Sequence, residues 1–324
     1  MRPFPSSFRN TRVLYAFASA SVFLMSIGVL LTYAASQASE NPQDGAPPPQ
    51  YDKAIFHEPV PSDQLAFLDN LVGEPSGEVA KNKQFGKLLR ALVPDCIFHY
   101  GWDMSLLKAL DTVLKGSSSL VQVRDGRYVM VSGRSGPYLQ GRGFMWIDMQ
   151  DGIGLGGFYF HPTNGEPTPT VTIFSKQVTE TALQMSQLPA AFAEDLNEWS
   201  AQSGVPPVTT RYFITGSKIK IVLQHDEDYC APLDRGGAPP KDICEQMNAD
   251  AADIDVSAAY YLDQTNHATN ATAWMINGPD QVAWIEVRDT TCRISPDPLH
   301  CRIIMARERT RVIIHGHLPP PRHF

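Results

Sequence analysis

The sequence predicts an α+β protein: an N-terminal antiparallel-sheet domain with flanking helices, followed by a small disulfide-stapled helical module. Three observations point there. Strand-like apolar runs come in pairs around Asp-Gly turns, while helically spaced segments stand before and after them instead of alternating as strand-helix-strand units. Four of the five cysteines fall within the last 95 residues, which confines any covalent staple to the C-terminal part. The 324 residues are 43% hydrophobic, enough to bury a full core and to exclude wholesale disorder.

Arg2, Arg9 and Arg12 open the chain without an acid, and the 23 residues from Val13 to Ala35 carry no charge. That length exceeds the roughly 7 to 15 residues of an ordinary signal-peptide core and matches the ~20 that span a bilayer. Residues 1–38 therefore read as an export signal. It is either cleaved near Ser36-Gln37-Ala38, leaving a soluble periplasmic protein, or kept as an inner-membrane anchor through residues 13–35. Residues 39–61, with Pro47-Pro48-Pro49, form a Pro-rich linker.

Residues 62–225 form the first domain. Helical spacing covers Ser62 to Leu71, Lys83 to Val93 and Trp102 to Leu114. A hairpin follows around Asp125-Gly126 and a second, Phe144 to Phe160, around Asp151-Gly152. A strand is expected at Thr170 to Phe174, then a helix from Pro189 to Ser203 closed by Gly204. A last hairpin joins Thr209 to Ile214 with Lys218 to Leu223.

Beyond His225 the charge changes. Asp226 to Gly316 hold 15 acids and 8 bases, which accounts for the whole net charge of −7. Within it, Asp226 to Val287 are acidic (12 against 2) and Arg288 to Gly316 basic (3 against 6). Helices are expected at Asp250 to Leu262, at Gln281 to Cys292 and from near Cys301, with a Pro-rich tail over 317–324. An acidic balance without a basic stripe argues against nucleic acid as a partner. If the first two helices form an antiparallel hairpin, Cys244 meets Cys292 and Cys230 is left for Cys301; the local alternative joins Cys230 to Cys244 and Cys292 to Cys301.

Cys230, then Ile243-Cys244, an Asp-rich helix ending in Ala259-Tyr260, Trp284-x3-Arg288-Asp289-x2-Cys292, Cys301 and Arg307-x-Arg309 together resemble the LprI-like lysozyme-inhibitor family over about 90 residues, 226–316. The resemblance implies a small secreted helical domain and a lysozyme, or another basic envelope protein, as partner. The Asn-rich stretch from Asn266 to Asn277, and Pro296 and Pro298, depart from the family's pattern.

Two constellations are candidate sites. Trp284 and Arg288 lie one helical turn apart, so an indole and a guanidinium can stack and hold the hairpin together, with Asp289 free to pair elsewhere; the same three are candidate partner-binding residues, because Trp and Arg dominate interface hot spots. In the first domain, Gly154-x-Gly156-Gly157 runs into an aromatic strand followed by His161, Asn164 and Glu166. These three either line a ligand cleft, with His as base and Glu as orienting acid, or sit on a stiff Pro-rich turn. The glycines are no phosphate loop, and Gly133-Arg134-Ser135-Gly136 lacks the spacing of a nucleophile elbow. His315 and His317 alternate without an evident third ligand, so no metal site and no cofactor is expected. Cys96 is expected to be buried beside Ile97 and Phe98.

Two functions follow as expectations. The first is an exported, non-enzymatic binding protein whose acidic module docks on a basic partner, with Arg288, Arg293 and Arg302 as candidate groups to enter the partner's acidic cleft. The second is an envelope enzyme or small-ligand receptor built on His161, Asn164 and Glu166.

Overall fold

The computed structural model describes residues 51, 53–100, 102–134, 141–160, 169–231, 239–267 and 279–315. Residues 47–324 form one compact unit; residues 1–46, the 13–35 stretch among them, lie outside the described residues. Among the described residues no helix is long and apolar enough to cross a membrane.

The first domain opens with 3-10 turns at Lys53–Ile55, Ser62–Gln64 and Ala66–Leu71, where a regular helix was expected over the last two. A single turn α1 (Ser76–Val79) leads to α2 (Lys83–Leu92), capped by Asn82 Oδ1, which accepts from the backbone N–H of Gln84 and Phe85. The expected helix from Trp102 starts only at Leu106. Before it, β1 (Ile97–Tyr100) pairs with β2 (Trp102–Ser105), and the Ser105 hydroxyl caps α3 (Leu106–Lys115) by accepting from Lys108 N–H. Cys96 is a half-buried free thiol: its neighbour Phe98 is buried but Ile97 is exposed, and burial, then Asp95, pushes the thiol pKa up.

Eight strands make the main sheet: β3 (Gln122–Arg124), β4 (Tyr128–Arg134), β5 (Arg142–Asp148), β6 (Ile153–Phe160), β7 (Thr170–Phe174), β8 (Leu183–Gln184), β9 (Thr210–Ile214) and β10 (Lys220–Gln224). Their order is β3-β4-β5-β6-β7-β9-β10-β8. The pairing is antiparallel from β3 to β7 and between β9 and β10, but β7–β9 and β10–β8 are parallel, so the sheet is mixed. The parallel pair arises because the chain leaves β7, forms α4 (Ala190–Ser203) and returns beside β7.

Alternation along the strands sorts side chains onto two faces. On one face Val129, Val131, Met145, Ile147 and Phe158 meet α2 and α3; on the other Phe144, Trp146, Leu155, Ile173 and Phe213 meet Phe192, Leu196 and Trp199 of α4. The glycine cluster of β6 serves this packing. A Cβ on Gly156 would lie 2.1 Å from the Phe174 ring, and one on Gly157 2.3 Å from the Phe144 ring, so these glycines seat the protein's own aromatics.

Three helices follow: α5 (Lys241–His267), longer than the expected Asp250–Leu262, α6 (Pro279–Arg293) and α7 (Pro298–Ile314). Asp297 Oδ1 caps α7 by accepting from His300 N–H, and Pro298 occupies the first turn, where its missing N–H costs nothing. The helices pack directly on the sheet: Tyr212 and Val222 share a core with Ala252, Val256, Ala259, Ala306 and Ile313.

Candidate functional site

Ala252, Val256, Ala259 and Ala306 are small, so α5 and α7 approach closely and form the module's principal helix pair. This arrangement decides between the two cysteine pairings that the sequence leaves open, against the one built on an α5–α6 hairpin. Because α7 rather than α6 runs along α5, the disulfides are the local ones, Cys230–Cys244 and Cys292–Cys301. The first ties the segment before α5 to its opening turn; the second clamps the end of α6 to the start of α7. Asn248 reinforces the first by accepting from Tyr229 N–H at 3.0 Å and donating to Asp228 at 2.7 Å.

Trp284 and Arg288 face inward. The Arg288 guanidinium lies over the Trp284 ring at 5.2 Å, donates to Asp253 on α5 at 2.6 Å, and donates to Asp289 at 2.9 Å. Arg302 of α7 donates to the other oxygen of Asp253 at 2.6 Å. Burial opposes the charge on Arg302, but Asp253 holds its pKa above the usual arginine value. Arg309 of α7 also lies over the Trp284 ring, at 5.7 Å, and donates to Gln281 and Asp280, while the Tyr260 hydroxyl donates to Asp280 at 2.8 Å. The indole and its guanidiniums thus link three helices. Of the proposed partner-binding trio, Asp289 alone is exposed.

This inward grip leaves an unusual helix. Only Gln281, Arg288 and Cys292 of α6 are buried. Its outer side carries Ala283, Val287 and Thr290 at spacings of i, i+4 and i+7, and Ile294 follows in the turn just past its end. Val287 is 55% exposed and Ile294 85%, and Val282 beside them is 44% exposed. Asp280, Glu286 and Asp289 are exposed acids on the same helix, against Arg293 as its exposed base.

A second polar group joins module and sheet. His225 N–H donates to Asp255 Oδ2 at 2.8 Å and its Nδ1 meets Asp255 Oδ1 at 2.7 Å, both residues buried. Beside them Arg211 of β9 pairs with Glu227 at 2.5 Å, and the Tyr229 hydroxyl bonds Glu227 at 3.3 Å. An Asp-His pair resembles half of a hydrolytic triad, but His225 Nε2 is buried and has no hydrogen-bond partner, so no nucleophile stands against it. The pair is a tether. Sequence reasoning missed it, although the signal was present: Asp255 sits on the buried stripe with Ala252, Val256 and Ala259, where a carboxylate needs a partner.

His161, Asn164 and Glu166, in the connection that follows β6, lie outside the described residues, and so does His317 in the C-terminal tail. Among the described residues no group of three or more His, Cys, Asp or Glu side chains is placed to hold a metal ion. A half-open groove of about 750 Å³ runs between β8, β10 and the ends of α5 and α7, lined by Leu183, Val222, Leu262 and Ile313 among others. Comparison with protein-family models, with curated proteins and with solved structures finds no match for this chain.

Proposed function

We propose that this chain is an exported, non-catalytic binding protein whose helical module captures a basic envelope protein, of which a lysozyme is the candidate implied by the resemblance to the LprI-like family. Two local disulfides, which persist in oxidising compartments, and the uncharged 13–35 stretch behind a basic start support export to the periplasm, soluble or held at the inner membrane.

The observation that carries the reading is α6, held by a disulfide and an arginine clamp on its inner side while Ala283, Val287 and Thr290 on its outer side, and Ile294 in the turn after it, stay exposed beside Glu286 and Asp289. A rigid helix that offers apolar anchors rimmed by acids suits a cationic partner: the stripe supplies buried area and the carboxylates supply on-rate and register. Arg288 and Arg302 are engaged with Asp253, so Arg293 is the exposed base of the three proposed to enter an acidic cleft. The test is binding of the full chain to a lysozyme by calorimetry at low and physiological salt. Wild type should bind, more weakly as salt rises, and Val287→Lys should weaken binding at least tenfold without altering the melting temperature. Absence of binding at low salt, or indifference to Val287→Lys, overturns the proposal.

A further inference from the structure

We infer that the rim of the sheet at the end of β4 and the start of β5 is a binding site for a tetrahedral oxyanion, phosphate or a phosphate ester, held between Arg134 and Arg142. Strand register places these two arginines directly opposite each other, with Tyr159 of β6 opposite Arg142 on its other side. All three belong to the face that α4 covers further along, because Met130, Phe144 and Leu155 stand on the same alternation and lie in that core. The row continues through Val171 to Arg211.

Like charges directly opposite on neighbouring strands destabilise a sheet. Among the described residues no carboxylate pairs with either arginine. Seven arginines among the described residues are partly or fully buried: Arg124, Arg127, Arg142, Arg211, Arg288, Arg302 and Arg309. Six of them pair with a carboxylate, at Asp195, Asp148, Glu227, Asp253, Asp253 and Asp280 respectively, setting Arg142 aside. Arg142 is the exception. Its Nε is buried without a hydrogen-bond partner, its guanidinium lies 5.3 Å from the Tyr159 ring, and its charged neighbour is Arg134. Burial, then Arg134, lowers the Arg142 pKa, so the charge is held at a cost that an anion would remove.

The ligand class follows from geometry. Each guanidinium presents a planar fork of donors, and two forks side by side match the several oxygens and double charge of phosphate better than a single carboxylate. The Tyr159 ring lies against the Arg142 guanidinium, and Arg134, which is exposed, stands opposite Arg142 across the strand pair. The site stands apart from the helical module and does not depend on the function proposed for it.

Titrating the full chain with inorganic phosphate, sn-glycerol-3-phosphate, sulfate and acetate at constant ionic strength tests the assignment, read by calorimetry and by the rise in melting temperature. Phosphate or its ester should bind, acetate should bind at least tenfold more weakly, and both Arg134→Gln and Arg142→Gln should weaken phosphate binding at least tenfold. Arg134 is exposed, so its variant retains the fold and remains informative if Arg142→Gln does not fold. Response to the ester but not to free phosphate supports the site and assigns the anion to a larger molecule. Equal binding by wild type and Arg134→Gln, or no response to either phosphate, overturns it.

Discussion

Asp253 is the carboxylate on which the module's three helices converge, and Asp253→Asn is the most informative single change in it. One oxygen accepts from Arg288 and the other from Arg302, each at 2.6 Å. Hydrogen bonds to charged groups contribute about 1.5 to 3 kcal/mol each. The two arginines weigh differently. Arg288 has a side chain only 10% exposed and would be left with Asp289, itself half exposed, so its loss lies toward the upper figure. Arg302 is 26% exposed and keeps a longer contact with Asp250 at 3.8 Å, so its loss lies toward the lower one or below it. An asparagine retains one acceptor oxygen, which brings the sum to about 3 kcal/mol, roughly 150-fold in the folding equilibrium.

Urea denaturation of the full chain with its disulfides intact, followed by circular dichroism and by tryptophan fluorescence, measures the change. A double-mutant cycle isolates the pair: in an Arg288→Met background the cost of Asp253→Asn should fall by about half, because an apolar side chain of similar length no longer needs the carboxylate. A loss below about 0.5 kcal/mol for Asp253→Asn, or the same loss in both backgrounds, would refute the view that this carboxylate clamps α6 and α7 to α5.

Peptide mapping without reduction should recover Cys230 joined to Cys244 and Cys292 joined to Cys301; opening the first loop, whose ends are 14 positions apart in the chain, should cost about 3 kcal/mol by loop entropy, and free thiols at all four positions would remove the export argument. Gly157→Ala should lower stability by about 1 to 3 kcal/mol in the same urea assay, because its methyl would enter the Phe144 ring and neither strand can retreat within the sheet. Burial would raise the Glu227 carboxyl pKa, but Arg211 and then His225 hold it below the usual value. A depressed folded-state pKa contributes stability above the unfolded value, so melting temperature should fall as pH drops below about 4.5, and Glu227→Gln should flatten that acid limb.

Local rules were readable along the chain. Asp125 and Gly126 both adopt positive φ, 56° and 62°, as the central residues of a tight turn closed by Arg127 N–H donating to Arg124 O within a three-residue hairpin loop, and Gly204 closes α4 in the left-handed region. The apolar spacing Leu106, Leu107, Leu110, Val113 and Leu114 pointed to the side that α3 buries, on which Ala109 also lies and Leu107 is only half-buried. What escaped the sequence depends on contacts between distant residues. The parallel pairing of β7 with β9 rests on where α4 packs, and the short β8 has two residues and no period to detect. The direction of Trp284 was ambiguous for a similar reason. Both sides of α6 carry apolar residues, and a helix wheel cannot tell which side meets Asp253, 35 positions upstream of Arg288.

The same contact changes how the charge pattern is understood. The sequence divides the module into an acidic first part and a basic second part, which by itself suits two opposite patches presented to a partner. In the folded module much of that opposition is spent internally, because Arg288 and Arg302 of the basic part meet Asp253 of the acidic part and Arg309 meets Asp280. The surface therefore offers a partner less charge of both signs than the composition implies, and the outer stripe of α6 must supply more of any binding energy. Stability and recognition then separate by side of one helix. Asp253→Asn should lower stability while leaving the stripe's chemistry intact, and Val287→Lys should do the reverse; a variant on either side that moved both properties equally would mean that α6 does not divide its work in this way.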